Sequence, residues 1–170
     1  MQMIKPFNSI EPKIHESVFI AEDAVIIGDV VIGEDASIWY GCVVRGDVSY
    51  IRIGARTNIQ DMTMIHVSSN FGPTIVEEEV TVGHRVTLHG CHVERGCLIG
   101  MSATVMDEAR IGEQSIIGAG SLVSPGTIIP PRVLAIGSPA RVKRDLTDAE
   151  IAYLDKSWRN YVELKNIYKT

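Results

Sequence analysis

The sequence predicts an all-β chain wound as a three-sided parallel β-helix of about six coils, followed by one C-terminal α-helix. Three observations predict it. An aliphatic residue recurs at every sixth position along most of the chain, the fifth position of each six is small or β-branched, and the second is often glycine. A helix would show spacings of three and four, and a half-buried strand would alternate at two. A period of six instead fits a short strand plus a tight turn. Three such units close a triangular coil of about 18 residues, and successive coils stack as parallel strands about 4.8 Å apart. A β-sandwich of short strands is the competing arrangement.

Taken in order, the aliphatic series runs Ile20, Ile26, Ile32, Ile38 and Val44, and resumes after SYIR at Ile53, Ile59 and Ile65. It breaks again at FGPTI and resumes at Val76, Val82 and Leu88. A one-residue slip leads to Val93, then Ile99, Val105, Ile111, Ile117, Val123 and Ile129. These eighteen hexads make six coils. The fifth positions include Ala24, Val30, Ala36, Thr57, Val80, Ala103, Ala109, Ser115 and Ser121; the second positions include Gly33, Gly54, Gly83, Gly100, Gly112 and Gly118. The aliphatic residue points into a narrow core, the small one lets the turn close, and glycine permits unusual backbone angles. The repeat domain spans residues 1–145. From Leu146 the texture changes, and residues 146–170 form the appendage. Thr147 followed by Glu150 reads as a capping box. Ile151, Leu154, Trp158, Tyr161, Val162 and Leu164 or Lys165 then recur at helical spacing. They predict an amphipathic helix over about 147–168, lying along the prism or against a neighbour, with Trp158 and Tyr161 as packing anchors.

A chain of 170 residues fits one domain with an appendage. Hydrophobic content is 45% but aromatics are only 6%, so Ile, Val and Ala fill the core. The net charge of -5, without a basic patch, argues against nucleic acid. Cys42, Cys91 and Cys97 are odd in number and lack CxxC spacing, which points to a reducing compartment and no disulfide framework. MQMIKPFNS lacks the apolar run of a signal peptide, and no apolar stretch is long enough to span a membrane. The expectation is a cytoplasmic protein.

The candidate functional residues are His66, His84 and His89. Counting hexads, Val44, Ile65 and Leu88 share one face, so Arg45, His66 and His89, which directly follow them, form one column on successive coils. Ile59 and Val82 share another face, and Asp61 and His84, two places further on, form a second column. His66 and His89 can therefore chelate one ion from a single chain. His84 lies across a corner and points elsewhere, so the simplest third ligand is His84 of a neighbouring subunit. A cyclic homotrimer provides three equivalent clefts of this kind, and it also covers flat prism faces that are a liability in water. Three neutral imidazoles with one open position make a zinc site for hydrolysis or hydration. His15 and His92 fall outside these columns and read as ordinary surface residues.

The motifs RGD at 45–47, NIQD at 58–61, His66, and GHRVTLH at 83–89 together resemble the γ-class carbonic anhydrase family, in its compact bacterial branch. Over roughly residues 11–141, through GSPARVKR, the repeat is similar to hexapeptide-repeat, left-handed parallel β-helix proteins. The resemblance implies the left hand. It also implies a homotrimer with Zn2+, or else Fe2+ or Co2+, at each interface, held by His66 and His89 of one subunit and His84 of the next. By the same resemblance Arg45 and Asp47 form an inter-subunit ion pair, Gln60 holds the metal-bound water or bicarbonate, and Asn58 and Asp61 support it. Zinc lowers the pKa of its water from about 15.7 to about 7, and the hydroxide attacks carbon dioxide. The chain departs from the founding members in two places. VSSNFGPTI is short and free of acids where they carry a glutamate proton shuttle, and Val48 stands where they carry a glutamate. Glu77, Glu78 and Glu79 sit at turn positions and are expected on the solvated surface. Fast hydration needs a proton carried out of the site, so weak hydration, or none, is expected with the metal site intact. The alternatives are an acyl-CoA thioesterase or another zinc hydrolase on the same site, and a non-catalytic trimeric accessory protein. An acyltransferase ranks last, because such enzymes use one catalytic histidine and no metal triad.

Overall fold

Each hexad aliphatic pairs with the one a full coil away, and the chain winds accordingly. The structure, a computed structural model, describes residues 3–169. Ile20, Ile38, Ile59, Val82, Ile99, Ile117 and Ala135 pair in parallel up the first face. Ile26, Val44, Ile65, Leu88, Val105 and Val123 do so on the second. Ile14, Ile32, Ile53, Val76, Val93, Ile111 and Ile129 form the third. Every residue of the series from Ile26 to Ile129 is buried, and Ile20 is half-buried. The architecture agrees with the expected left-handed parallel β-helix and runs one position further at each end, to Ile14 and Ala135. There the chain reverses, and Ala140–Asp145 pairs antiparallel with Val133–Gly137, covering a sheet edge that would otherwise be open. The SYIR interruption lies within one long strand, Val43–Ile53, that turns a corner without breaking. Its residues 47–50 are an insertion, set against only Asp29 of the neighbouring strand, where the pairing passes from Gly28–Gly46 to Val30–Ile51.

The glycines of the repeat have a different reason from the one expected. None of the second-position glycines named above has a positive φ. Left-handed backbone falls two residues later, at Asp35, Arg56, Met62, Glu79, Arg85, Ser102, Glu108 and Gln114, side chains included. On the coils that carry glycine at the second position, what that glycine provides is space; other coils carry Arg45, Gln60, His66 or His89 there. A Cβ on Gly100 would lie 2.5 Å from the backbone nitrogen of Ala119 in the next coil. The stacking distance between coils, not a torsion angle, excludes a side chain there.

Helix α1 spans Asp148–Tyr168, with Thr147 as N-cap and a complete Thr147–Glu150 capping box. It lies along the first face, against strands Phe19–Ile20, Ser37–Ile38, Asn58–Ile59 and Thr81–Val82. Leu154, Ser157, Trp158 and Lys165 are its buried residues. Phe19, Trp39, Tyr161 and Tyr168 meet edge-on or tilted, with ring centroids 5.1–5.8 Å apart. Trp158 lies under the guanidinium groups of Arg56 and Arg159.

Glu77, Glu78 and Glu79 are half-buried and ion-paired, which corrects the solvated reading. Glu79 bonds Arg56 at 3.0 Å and Arg95 at 2.7 Å, and Glu77 accepts from His92 at 2.7 Å. Stacking places these acidic turn positions beside basic ones a coil away. All three cysteines are free and buried, and burial pushes each thiol up to about 12. Among the described residues, no helix is long and apolar enough to cross a membrane.

Candidate metal centre

His66 and His89 end adjacent strands of the second face, Met64–His66 and Thr87–His89, and stand directly opposite each other in register. Each follows a core aliphatic, Ile65 or Leu88. Alternation along a strand therefore turns both rings outward, and parallel pairing brings them together. The ring centroids are 5.1 Å apart, and Nδ1 of His66 lies 3.1 Å from Nε2 of His89.

A carboxylate holds the far side of each ring. His66 Nε2 donates to Asp47 Oδ1 at 3.0 Å, and His89 Nδ1 donates to Asp107 Oδ1 at 2.8 Å. A neutral imidazole carries one N–H, and the tautomer follows from the partner that accepts it. With both protons on the carboxylate side, the two facing nitrogens each present a lone pair. Lone pairs at 3.1 Å repel unless positive charge lies between them. Two nitrogens bound tetrahedrally to zinc, at about 2.0–2.1 Å each, stand roughly 3.3 Å apart. The donor set and its carboxylate supports thus fit a borderline divalent cation. Burial opposes the ionisation of Asp47, but hydrogen bonds from His66, Arg45 and the Val48 N–H outweigh it and hold the carboxyl below its usual range. Arg45 reaches Asp47 within its own chain, since residues two apart on a strand share a side; the resemblance implied a pair between subunits.

His84 stands on another face, as the hexad count places it. Its Nδ1 lies 2.7 Å from Asp61 Oδ2, and the Arg85 N–H donates to the Asp61 carbonyl at 2.9 Å. Beside it Gln60 is buried and donates from Nε2 to Asn58 Oδ1 at 3.0 Å. Asn58 donates to Thr81 Oγ1 at 3.1 Å, which in turn meets Ser157 of α1 at 3.1 Å. This chain of bonds fixes the Gln60 amide from the helix inward. A cavity of about 380 Å³ opens over Gln60 and His84, bounded by Met101, Tyr153, Ser157 and Tyr161 among others. Tyr161 is therefore both an anchor against Trp39 and part of the cavity wall.

The candidate residues fall into two clusters on different faces. One holds Arg45, Asp47, His66, His89 and Asp107; the other holds Asn58, Gln60, Asp61 and His84. Among the described residues, no three His, Cys, Asp or Glu side chains of one chain converge on a common point that could hold a metal ion. Asp107, which contacts the His89 ring, is marked by neither the motifs nor the columns. The one-residue slip shortens this coil to 17 residues, so that Leu88 pairs with Val105 and Asp107 lies opposite Gly90 rather than opposite His89; no periodicity in the sequence points to its contact with the His89 ring.

Comparison with known proteins separates scaffold from site. The family described as bacterial transferase hexapeptide (six repeats) matches residues 11–46 and 90–125. The unmatched stretch between them carries His66, His84 and His89. A carbonic anhydrase of Geobacillus kaustophilus is 50% identical over 98% of this chain and 91% of its own. The mitochondrial γ carbonic anhydrase 2 of Arabidopsis thaliana is 45% identical over 92% of this chain, which spans 58% of that relative's length. Among solved structures, a hexapeptide transferase family protein of Anaplasma phagocytophilum superposes with a TM-score of 0.94 at 43% identity, covering 98% of both chains.

Proposed function

The chain belongs to the γ-class carbonic anhydrase family of hexapeptide-repeat proteins, and on that premise we propose a zinc-dependent reversible hydration of carbon dioxide to bicarbonate. The observation that carries it is the approach of His66 Nδ1 and His89 Nε2 to 3.1 Å, each ring backed by a carboxylate. His84 of the next subunit of a cyclic trimer supplies the third nitrogen, because its own chain turns it to another face. Iron(II) or cobalt(II) suits the same nitrogen donors.

Zinc held there supplies Lewis acidity that brings the ionisation of a water from about 15.7 to about 7. The chain's own groups orient and confine. Asp47, Asp61 and Asp107 each hold one ring, leaving the opposite nitrogen unprotonated. Gln60 commits one N–H to Asn58, leaving its carbonyl and second N–H to position a substrate oxygen. Arg45 is fastened to Asp47 and adds positive charge beside the product anion. Hydration releases one proton per bicarbonate, and residues 67–75 offer no acid to carry it. Turnover is accordingly slow.

A second reading, hydrolysis of an acyl-CoA thioester on the same site, is favoured by the cavity over Gln60 and His84. Its Met101 and Tyr161 walls enclose more space than carbon dioxide needs. Stopped-flow carbon dioxide hydration run beside acyl-CoA hydrolysis separates the two.

The site itself is tested by mixing. Protein purified without chelator should carry about one metal per chain, as three equivalent interface sites per trimer require, and His84→Ala should carry none. Trimers assembled at random from His84→Ala and His66→Ala chains should regain metal at about one interface in four. Absence of metal from the unmodified protein, or no recovery on mixing, overturns the shared site.

A further inference from the structure

We propose that Asp107 is a positioning residue: it locks the His89 ring so that Nε2 faces the metal. This rests on the metal reading above. The Asp107 side chain is only 15% exposed, so water competes weakly for its bond to His89 Nδ1 at 2.8 Å. The backbone on both sides is pinned. The Glu108 N–H donates to the Gly90 carbonyl at 2.7 Å, and the Gly126 N–H donates to the Asp107 carbonyl at 2.8 Å.

Gly90 is the independent observation. It has φ +57, at the turn position where other coils carry Arg56, Met62, Arg85, Ser102 or Glu108 with the same sign of φ. The angle alone therefore does not demand glycine in this fold. A Cβ at residue 90, however, would lie 2.3 Å from Asp107 Oδ1. Glycine at 90 leaves room for that carboxylate to reach His89. A carboxylate on Nδ1–H keeps the Nε2 lone pair free, sets the ring plane and raises the basicity of the ligand. Such supports typically contribute about 10–100-fold to metal affinity.

Zinc affinity, read by competition with a chromophoric chelator, and the ¹⁵N histidine spectrum of the metal-free protein test this together. Asp107→Ala should weaken zinc binding by about 10–100-fold and turn His89 from a single Nδ1–H tautomer into a mixture. Asp107→Asn keeps an acceptor of the same shape, so the tautomer should persist and most of the affinity return. Gly90→Ala should weaken zinc binding with Asp107 still present. Melting curves in chelator identify any variant that fails to fold, and the isosteric Asn variant keeps the comparison usable. An Asp107→Ala protein with unchanged tautomer and affinity, beside unmodified protein that binds zinc, overturns the role of Asp107 alone. Unmodified protein that binds no zinc overturns the metal reading and this role with it.

Discussion

Lys165 is the one charged side chain that is buried among the described residues, at 1% exposure. An ammonium out of water needs all three of its protons matched, and here they are. Nζ meets the Ser17 carbonyl at 3.0 Å, Asn166 Oδ1 at 2.9 Å and Asp35 Oδ1 at 2.9 Å. The hydrogen bond from Lys165 is the main reason Asp35 sits below its usual carboxyl range. The lysine thus ties the last turns of α1 to the first coils. Lys165→Met removes the tie while filling most of the space. It should lower stability by about 2 kcal/mol, a fall in Tm of about 4–8 °C by calorimetry, with zinc affinity unchanged. An unaltered Tm would show the tie to be idle. Helical spacing leaves Leu164 and Lys165 as equal candidates for the buried face. The structure buries the lysine and leaves Leu164 exposed. Of the acceptors that decide this, Ser17 and Asp35 lie on the first coils, Ser17 148 residues away, outside the reach of any periodicity.

The hexad is the element, and its glycines separate two physical demands that a sequence shows as one letter. At Gly100, as at Gly33, Gly54, Gly83 and Gly112, the next coil's backbone comes too close for a Cβ. Gly100→Ala should therefore cost about 1–3 kcal/mol from overpacking against Ala119, a backbone neighbour that cannot rotate away. Two residues later Ser102 holds φ +59. Ser102→Gly trades relief of that torsion against chain entropy, and should stay within about 1 kcal/mol of the unmodified protein. Chemical denaturation of the two variants side by side checks the assignment, and equal effects would refute it. Where glycine recurs is legible from the period. Why it recurs is not, because spacing cannot tell a torsion from a close approach. The extent of α1 is legible too, through Thr147 and Glu150, since a capping box is a local signal.

At the scale of the whole molecule, the His66–His89 and His84–Asp61 clusters lie on different faces of one prism, so the proposed chemistry needs an assembly. Light scattering should return ~56 kDa, three times the 18.6 kDa chain. A monomer that still binds zinc stoichiometrically would contradict the arrangement. Part of the site is legible in the period of six. Arg45, His66 and His89 fall into one column and Asp61 and His84 into another, and the pairing of His66 with His89 and the Asp61–His84 contact follow those columns. The sequence by itself determined the winding, the register and these columns, because a period of six assigns every residue to a face and a coil. Only the tertiary structure decided that Asp107 backs His89, that ring nitrogens face each other at 3.1 Å, and that α1 closes a cavity over Gln60. Those outcomes depend on side-chain directions at corners and on partners brought close by coiling, and neither leaves a period in the sequence.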